Sequence, residues 1–265
     1  MNKKIFFLIS VLMFSIYNVQ IIFAHHAMEY IEMESYSTAK KSEFVFHLHY
    51  DYMVDDMNEP SLDHWEFTPG ISYGITDRIM FDFHTHFAKF GAGHLVVDIT
   101  APEYAQYAKL GPSPFMEAFA MSLQGRITES KQLPVDIAVV FTYEQPFKRS
   151  EELLGGQKVY EGTLILSRDF GEHSNICFNF NFGKDGEESI RSCSLGIKTP
   201  ISLDPHGIAA GVEFLVGDYE KLDESWSILP GIYAPLAENI TFKTGLEFGK
   251  DAKSMRANAT LMYRF

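Results

Sequence analysis

The chain has 265 residues, of which 46% are hydrophobic and 14% aromatic, and its mean hydropathy is only −0.07. The apolar residues are therefore interleaved with polar ones, unlike those of a helical membrane protein. The formal net charge of −13 argues against nucleic-acid binding through a basic surface and disfavours acidic partners.

The first 24 residues have the features of an export signal. They combine a positive start at Lys3 and Lys4, an apolar run over residues 5–16 and a small residue, Ala24, where a signal peptidase could cut. An uncleaved membrane anchor is the alternative, since about 20 residues would just span a bilayer, but polar residues within the segment disfavour it. Cleavage takes the 22 basic residues to 20 against 35 acidic ones, a formal charge of −15.

From about residue 41 the chain forms alternating apolar and polar segments separated by turn residues, which predicts β-strands. Each is close to the length of about 9 to 11 residues that a tilted strand needs to cross a membrane. Twelve segments are present, and an even number suits a closed single-chain barrel. They are 41–54, 64–75, 79–90, 115–128, 135–147, 158–169, 174–184, 189–199, 206–217, 225–236, 239–249 and 254–265. The sequence therefore predicts an all-β protein, a twelve-stranded antiparallel transmembrane β-barrel over residues 41–265.

The polar face of each strand is predicted to line the barrel interior. In the last strand Leu261 and Phe265 share one face, while Arg256 and Thr260 share the other. A soluble barrel would turn the apolar face inward, but aromatic residues recur near the strand ends, as in the girdles that anchor a barrel at both membrane interfaces. Exposure of that much aromatic surface to water would promote aggregation. We therefore expect lipid outside and a hydrated lumen inside.

Two features carry a resemblance to known families. The ending ATLMYRF, with its terminal Phe265, resembles the closing strand of Gram-negative outer-membrane barrels, which their assembly machinery recognises. The stretches FTPGISYGITDRIMFDFHTHF (67–87) and PLAENITFKTGLEFG (235–249) resemble a family of outer-membrane barrels named after the meta-pathway of phenol degradation. The resemblance implies a multi-pass outer-membrane location, with outer-membrane lipid and the barrel assembly machinery as partners. It also implies transport of small solutes but identifies no solute.

Histidines and carboxylates are concentrated on the inward faces of the first three strands. The alternation in SEFVFHLHYDYMV (42–54) places histidine and aspartate opposite aromatic and aliphatic residues, and HWEF (64–67) and MFDFHTHF (80–87) repeat the pattern. The predicted lumen-facing, solute-binding residues are His47, His49, Asp51, His64, Glu66, Asp82, His84 and His86.

The strand register determines which of these side chains meet. The tight turn at Asp77 predicts that Ile75 opposes Ile79, which sets Gly70 beside His84.

For the first strand, a register that keeps its polar side chains on the lumen face sets His47 opposite Gly70 and His49 opposite Thr68. Four imidazoles would then surround Gly70 and Thr68, with strands about 4.8 Å apart. Neutral histidine binds zinc, copper or nickel, and neighbouring carboxylates could complete or orient such a site. The metal-ligating candidates are His47, His49, His84 and His86.

The alternative is a water-lined wall whose histidines pair with carboxylates and bind no metal. The histidines would then titrate between about pH 5 and 8 and change the lumen charge. No cofactor is required by either interpretation.

Enzymatic activity is not predicted. Some outer-membrane barrels are lipid hydrolases whose histidine and serine lie two residues apart on a strand. The nearest candidates here, His173 and Ser174, are adjacent and fall in a turn, so a catalytic dyad is poorly supported.

The two cysteines are predicted to be free thiols. Cys177 alternates with outward-facing Phe178 and therefore points inward, whereas Cys193 shares the parity of outward-facing Leu195. Side chains on opposite faces cannot easily form a disulfide.

Residues 25–40, HHAMEYIEMESYSTAK, do not fit the strand pattern. They could form a periplasmic tail, a short helix or a lumen plug, with a flexible tail as the default. The predicted organisation is a signal peptide (1–24), an N-terminal tail or plug (25–40) and a transmembrane β-barrel (41–265).

The function indicated is a porin-like outer-membrane channel for passive passage of small solutes, modulated by the histidine-rich lumen site. The alternative is a non-conducting binding or structural barrel that binds a divalent metal. A barrel of this size can be filled by side chains and loops, so conduction is itself a hypothesis.

Overall fold

The computed structural model describes residues 30–54, 63–90, 114–128, 134–170, 174–202, 207–217, 226–250 and 255–265. Within these residues, twelve antiparallel strands form a closed barrel in which each strand pairs with its neighbours in sequence and the first pairs with the last. The predicted fold class is confirmed. The predicted export signal and the start of the predicted tail or plug lie outside the described residues.

The strand bounds agree with the predicted segments to within a few residues. The strands are β1 (Phe44–Val54), β2 (His64–Thr76), β3 (Ile79–Phe90), β4 (Phe115–Arg126), β5 (Asp136–Pro146), β6 (Val159–Phe170), β7 (Ser174–Asp185), β8 (Glu188–Pro200), β9 (Ala209–Val216), β10 (Trp226–Ala237), β11 (Ile240–Gly249) and β12 (Met255–Arg264). The connection between β5 and β6 contains a short helix, α1 (Lys148–Leu154), which ends at Gly155 in the left-handed conformation. Among the described residues, no helix is both long enough and apolar enough to cross a bilayer.

The outer surface of the barrel is apolar and the polar side chains point inward. Phe46, Phe81 and Leu261 are 38%, 37% and 39% exposed on the outside. Asp51 of β1 and its register partner Asn258 of β12 lie on the inner face of the sheet and are buried. The predicted orientation is confirmed, because a soluble barrel would have shown the reverse distribution.

Aromatic side chains form two belts around this outer surface. At the end where β1 begins and β12 ends, Phe44 stacks on Phe265 with ring centroids 5.7 Å apart. Near the other end Tyr50 stacks on Trp65 at 6.2 Å. A band of apolar residues between two aromatic girdles is the surface that a bilayer requires.

The register of the first three strands places the histidines as predicted. His47 pairs with Gly70 across β1 and β2, and Gly70 pairs with His84 across β2 and β3. The predicted pairing of Ile75 with Ile79 is wrong, since an irregularity after Gly74 pairs Ile79 with Thr76.

The physical reason for that shift lies in the turn itself. The Thr76 hydroxyl oxygen accepts hydrogen bonds from the backbone N–H groups of Arg78, at 3.1 Å, and Ile79, at 3.0 Å. This side-chain cap favours a turn that begins one residue later than the simple alternation suggests.

Residues 30–40 lie inside the barrel, and we call this segment the plug. At one end, the Thr38 hydroxyl donates to the Asp77 carbonyl oxygen at 3.1 Å, beside the turn between β2 and β3. At the other end, the Tyr30 hydroxyl donates to Asn175 Oδ1 at 2.7 Å, on β7. The plug therefore crosses the lumen from one wall to another.

The plug packs against two apolar clusters on the barrel interior. Its side chains Tyr30, Ile31 and Met33 are buried there. The inward residues that they cover are small or aliphatic: Ala138, Val140, Ile165, Cys177, Ala209 and Leu229. The expected polar lumen is thus correct for only part of the wall, because these positions face the plug instead of water.

Glycines on the barrel wall make room for the plug. A Cβ atom at Gly196 would overlap the Tyr30 ring, and one at Gly231 would overlap the end of Ile31. The close packing of these plug side chains against β8 and β10 therefore leaves no room for a Cβ atom at either position unless a neighbour shifts.

Both thiols are free, as predicted. Cys177 is buried beneath the plug, while Cys193 pairs with outward-facing Phe180 and is half-buried. We expect thiol titration of the unreduced protein, unfolded in denaturant, to find two reactive groups. A titre of zero would show a disulfide and contradict the assignment of Cys177 and Cys193 to opposite faces of the sheet.

Candidate functional site

Glu213 anchors the plug to the barrel wall. Its Oε1 atom accepts hydrogen bonds from the Ile31 N–H at 2.6 Å and the Tyr233 hydroxyl at 3.0 Å. Its Oε2 atom accepts from the N–H groups of Glu32 and Met33, both at 3.0 Å. One fully buried carboxylate thus holds three consecutive backbone amides, and hydrogen bonds to a charged group are stronger than neutral ones.

Sequence analysis missed Glu213. The signal available was a single acidic residue at an inward position of a short, otherwise apolar strand, AAGVEFLV (209–216). Such a residue needs buried donors, but their source in the plug, about 180 residues earlier in the chain, could not be found by periodicity.

The opposite side of the plug is held by charged and polar side chains of β11, β12 and β1. The Glu32 carboxylate lies 3.2 Å from Arg256 Nη1 and 3.5 Å from His49 Nε2, and it accepts a hydrogen bond from Asn258. The Lys243 ammonium donates to the Tyr30 carbonyl oxygen at 2.6 Å. The plug is therefore clamped between two walls of the lumen.

The remainder of the plug is held through its backbone. The Gln124 side-chain amide donates to the carbonyl oxygens of Ser35, at 2.7 Å, and Ser37, at 3.1 Å. Asn179 Nδ2 donates to the Glu34 carbonyl oxygen at 3.0 Å. Since buried backbone groups need partners, these amides fix the path of the plug.

A cavity of about 740 Å³ remains between the plug and the part of the wall that carries the histidines of β1 and β3. Its lining includes predicted site residues as well as charged side chains of the plug: His47, His49, Asp82, His84, Glu32 and Glu34. The cavity therefore brings the predicted histidine wall and the charged side chains of the plug together.

His47, Asp82 and His84 form one cluster in this cavity. His84 Nδ1 lies 2.7 Å from Asp82 Oδ1, and His47 Nδ1 lies 3.8 Å from Asp82 Oδ2. The Ser72 hydroxyl donates to Asp82 Oδ2 at 2.6 Å and helps to orient the carboxylate.

His49 belongs to a second cluster. Its Nε2 atom lies 2.8 Å from Asp51 Oδ2, and its Nδ1 atom lies 2.7 Å from the Thr260 hydroxyl oxygen. Asp51 also accepts hydrogen bonds from Arg256 at 3.3 Å and Asn258 at 2.8 Å. The four predicted metal-ligating histidines are therefore divided between two neighbourhoods.

His86 lies next to the first cluster, with its ring centroid 5.0 Å from that of His84. Its Nδ1 atom lies 3.4 Å from the Thr68 hydroxyl oxygen. Its Nε2 atom is buried without a hydrogen-bond partner among the described residues, 3.7 Å from Glu144 Oε2.

The remaining predicted lumen residues, His64 and Glu66, lie at the start of β2. His64 Nε2 is 3.7 Å from Glu66 Oε1, and Glu66 pairs with Asp51 across β1 and β2. They belong to neither cluster.

The carboxyl of Glu34 is the plug group best placed to respond to pH. Its side chain faces the cavity inside the barrel. Burial within the barrel raises the pKa of this carboxyl to about 7. Among nearby groups, Asp82 raises the pKa, His84 lowers it, Glu161 raises it and Lys243 lowers it. The docked plug therefore holds this proton more tightly than a released one.

Docking of the plug is expected to weaken as pH rises from about 4.5 to about 7, because the released state binds fewer protons in this window. Amide hydrogen exchange of residues 30–40 measures docking, and Glu34→Gln should remove this part of the pH dependence. Glu32 acts outside this window. Burial raises its pKa, but the His49 hydrogen bond and the charge of Arg256 bring it below the usual value. The same protection profile in wild type and Glu34→Gln would contradict the prediction.

The residues weighed for hydrolase chemistry are not both described. Ser174 lies 2.8 Å from the Thr199 hydroxyl oxygen, while His173 lies outside the described residues. The absence of enzymatic activity stays a prediction.

Comparison with known proteins identifies a fold and no family. No protein-family model and no curated protein matches the sequence. An outer-membrane channel from Pseudomonas putida F1 superposes with a TM-score of 0.58 at 9% identity, covering 89% of this chain and 100% of that one. The KdgM porin in complex with disordered oligogalacturonate gives a TM-score of 0.54 at 8% identity, covering 83% of this chain and 99% of that one.

At these identities the likeness shows the fold alone. The resemblance to the phenol-pathway family stays a prediction. The chain has the fold of Gram-negative outer-membrane β-barrels.

Proposed function

We propose that this protein is a passive outer-membrane channel for small solutes, narrowed by its plug and modulated by the histidine-lined wall. The observation that carries the proposal is the cavity of about 740 Å³, lined by charged and histidine side chains among others, inside a closed barrel. A protein that served only as a membrane anchor would have no need of such a water-accessible interior. The proposal assigns the protein no catalytic step.

An outer-membrane location is supported by the surface of the barrel. Its outward side chains are apolar between two aromatic belts, and Phe265 stacks on Phe44 of the first strand. Insertion by the barrel assembly machinery would match the resemblance of the ending ATLMYRF to the closing strands of such barrels.

The charge of the cavity favours neutral or cationic solutes. Its lining carries five acidic residues, Glu32, Glu34, Glu43, Asp82 and Glu238, and three basic ones, Lys40, Lys243 and Arg264. An acidic oligosaccharide, the ligand in the KdgM complex, would be repelled by this excess of carboxylates most strongly above about pH 7, where Glu34 is ionised.

The histidines on the lumen wall can change the charge of the cavity. His47, His49 and His84 line the cavity, and each imidazole adds a positive charge to it when protonated. Conductance is therefore expected to depend on pH.

Planar-bilayer recording tests the proposal. The purified, folded protein should give discrete conductance steps that prefer small cations over small anions. If the wild type and a variant with a released plug both stay silent at all voltages and pH values, the channel is ruled out.

A non-conducting binding barrel is the second candidate. The extensive contacts of Tyr30, Ile31 and Met33 with the wall favour it, because they close much of the lumen. A silent wild type whose plug-released variant conducts would identify this second function, with the plug permanently docked.

A further inference from the structure

Gly70 leaves a gap in the lumen wall that two histidines share. His47 and His84 are its register partners on either side, and their ring centroids are 6.2 Å apart. A Cβ atom at position 70 would overlap the His47 ring and lie 2.7 Å from His84 Cβ. The absence of a side chain thus allows the two imidazoles to approach each other over the middle strand.

Asp82 adds an oxygen donor to this pair. One donor atom from each of His47, Asp82 and His84 can be chosen so that all three lie within 4.8 Å of one another. In a tetrahedral zinc site with bonds of about 2.0 to 2.1 Å, donor atoms are about 3.3 Å apart. Rotation of the two imidazole side chains, without movement of the strands, can supply a contraction of this size.

We propose that His47, Asp82 and His84 bind a divalent transition-metal ion of the zinc class on the lumen wall. Two imidazole nitrogens and one carboxylate oxygen favour zinc, nickel or copper over magnesium and calcium, which prefer oxygen ligands. The Ser72 hydroxyl holds the carboxylate from outside the ligand set, as groups around metal ligands commonly do. The site opens onto the cavity, which provides the entry path for the ion.

The second cluster in the lumen is a poorer site. The carboxylates of Glu32 and Asp51, which flank His49, already accept hydrogen bonds from Arg256 and Asn258. A metal ion there would face a guanidinium and would have to displace these donors. We therefore assign the metal site to the cluster beside Gly70, which consists of His47, Asp82 and His84.

The inference deepens the proposed modulation of the lumen and rests on that wall facing water, but it does not require that the barrel conducts. Metal binding is therefore measured on the folded protein in detergent, with zinc chloride as the probe and a chromogenic chelator as competitor. His25 and His26 are replaced by alanine in every protein so that these terminal histidines do not contribute.

Three variants define the site. His47→Ala and His84→Ala each remove one ligand and should weaken zinc binding at least 10-fold. His64→Ala, which removes another inward-facing histidine of the same wall, is the matched control and should leave binding unchanged. Retention of the folded barrel in each variant is checked by its electrophoretic mobility without boiling.

Gly70→Ala provides a test that removes no ligand. Its methyl group should displace the His47 ring and weaken zinc binding, whereas magnesium and calcium should not compete in any variant. The proposal is overturned if His47→Ala and His84→Ala bind zinc as the parent does, if His64→Ala loses binding equally, or if Gly70→Ala has no effect.

Conductance in the presence and absence of zinc is a separate measurement. Loss of zinc binding in the variants together with a silent bilayer would support the metal site and contradict the channel. Normal conductance without zinc binding would contradict the metal site alone.

Discussion

Glu213→Ala is expected to raise the single-channel conductance several-fold, because it removes the anchor of the plug. The substitution leaves the N–H groups of Ile31, Glu32 and Met33 without their acceptor. Each buried donor left unsatisfied costs about 1–3 kcal/mol. The summed cost is comparable to the free energy that could hold a segment of this length in place, so the plug should leave the lumen.

Glu213→Gln should have a smaller effect in the same direction. Its amide keeps one acceptor oxygen but directs an NH₂ group at backbone donors. Glu188→Ala, at an exposed position outside the plug contacts, is the control. Protection of residues 30–40 from hydrogen exchange should fall in parallel with the rise in conductance. If Glu213→Ala keeps both at wild-type values, the carboxylate does not anchor the plug.

Phe141→Arg should destabilise the folded barrel in lipid vesicles, whereas an arginine at the adjacent position should not. Phe141 lies midway along β5 and is 55% exposed on the outer surface. An arginine near the bilayer midplane of a barrel costs about 2–4 kcal/mol. The free energy of unfolding, measured by denaturant titration in vesicles, should fall by about that amount.

Thr142→Arg is the matched control, because successive residues of a strand face opposite sides. The Thr142 hydroxyl lies 2.9 Å from the Ser122 hydroxyl on the inner face, where a longer charged side chain can reach water in the lumen. An equal or greater loss of stability in Thr142→Arg would contradict the assigned orientation of the whole barrel.

Alternation was sufficient to predict most of the barrel. In β1, Phe46 and His47 take opposite faces because a strand has a period of two, and a short turn then limits the register of β2 and β3. These are local constraints, which a sequence displays directly. The neighbourhood of Gly70, His47 and His84 followed from them.

The plug and its anchor depended on contacts between distant parts of the chain. A partial signal was present in β5, where DIAVVFTY (136–143) is apolar on both faces between Ile137 and Phe141. Such a run indicates burial on both sides, and an inward apolar face needs a cover. The sequence did not reveal that the cover would come from residues 30–40, since that segment lacks any regular period.

The contacts of Glu32 bear on the order of events during biogenesis. Asn258 and Arg256, which hold this carboxylate, belong to β12, the strand that closes the barrel on β1, while the plug precedes β1 in the chain. The plug therefore gains these contacts only after β12 has paired with β1. A half-inserted chain would hold the plug only through the strands already in place, such as β9 with Glu213, and pairing of β12 with β1 would complete its attachment.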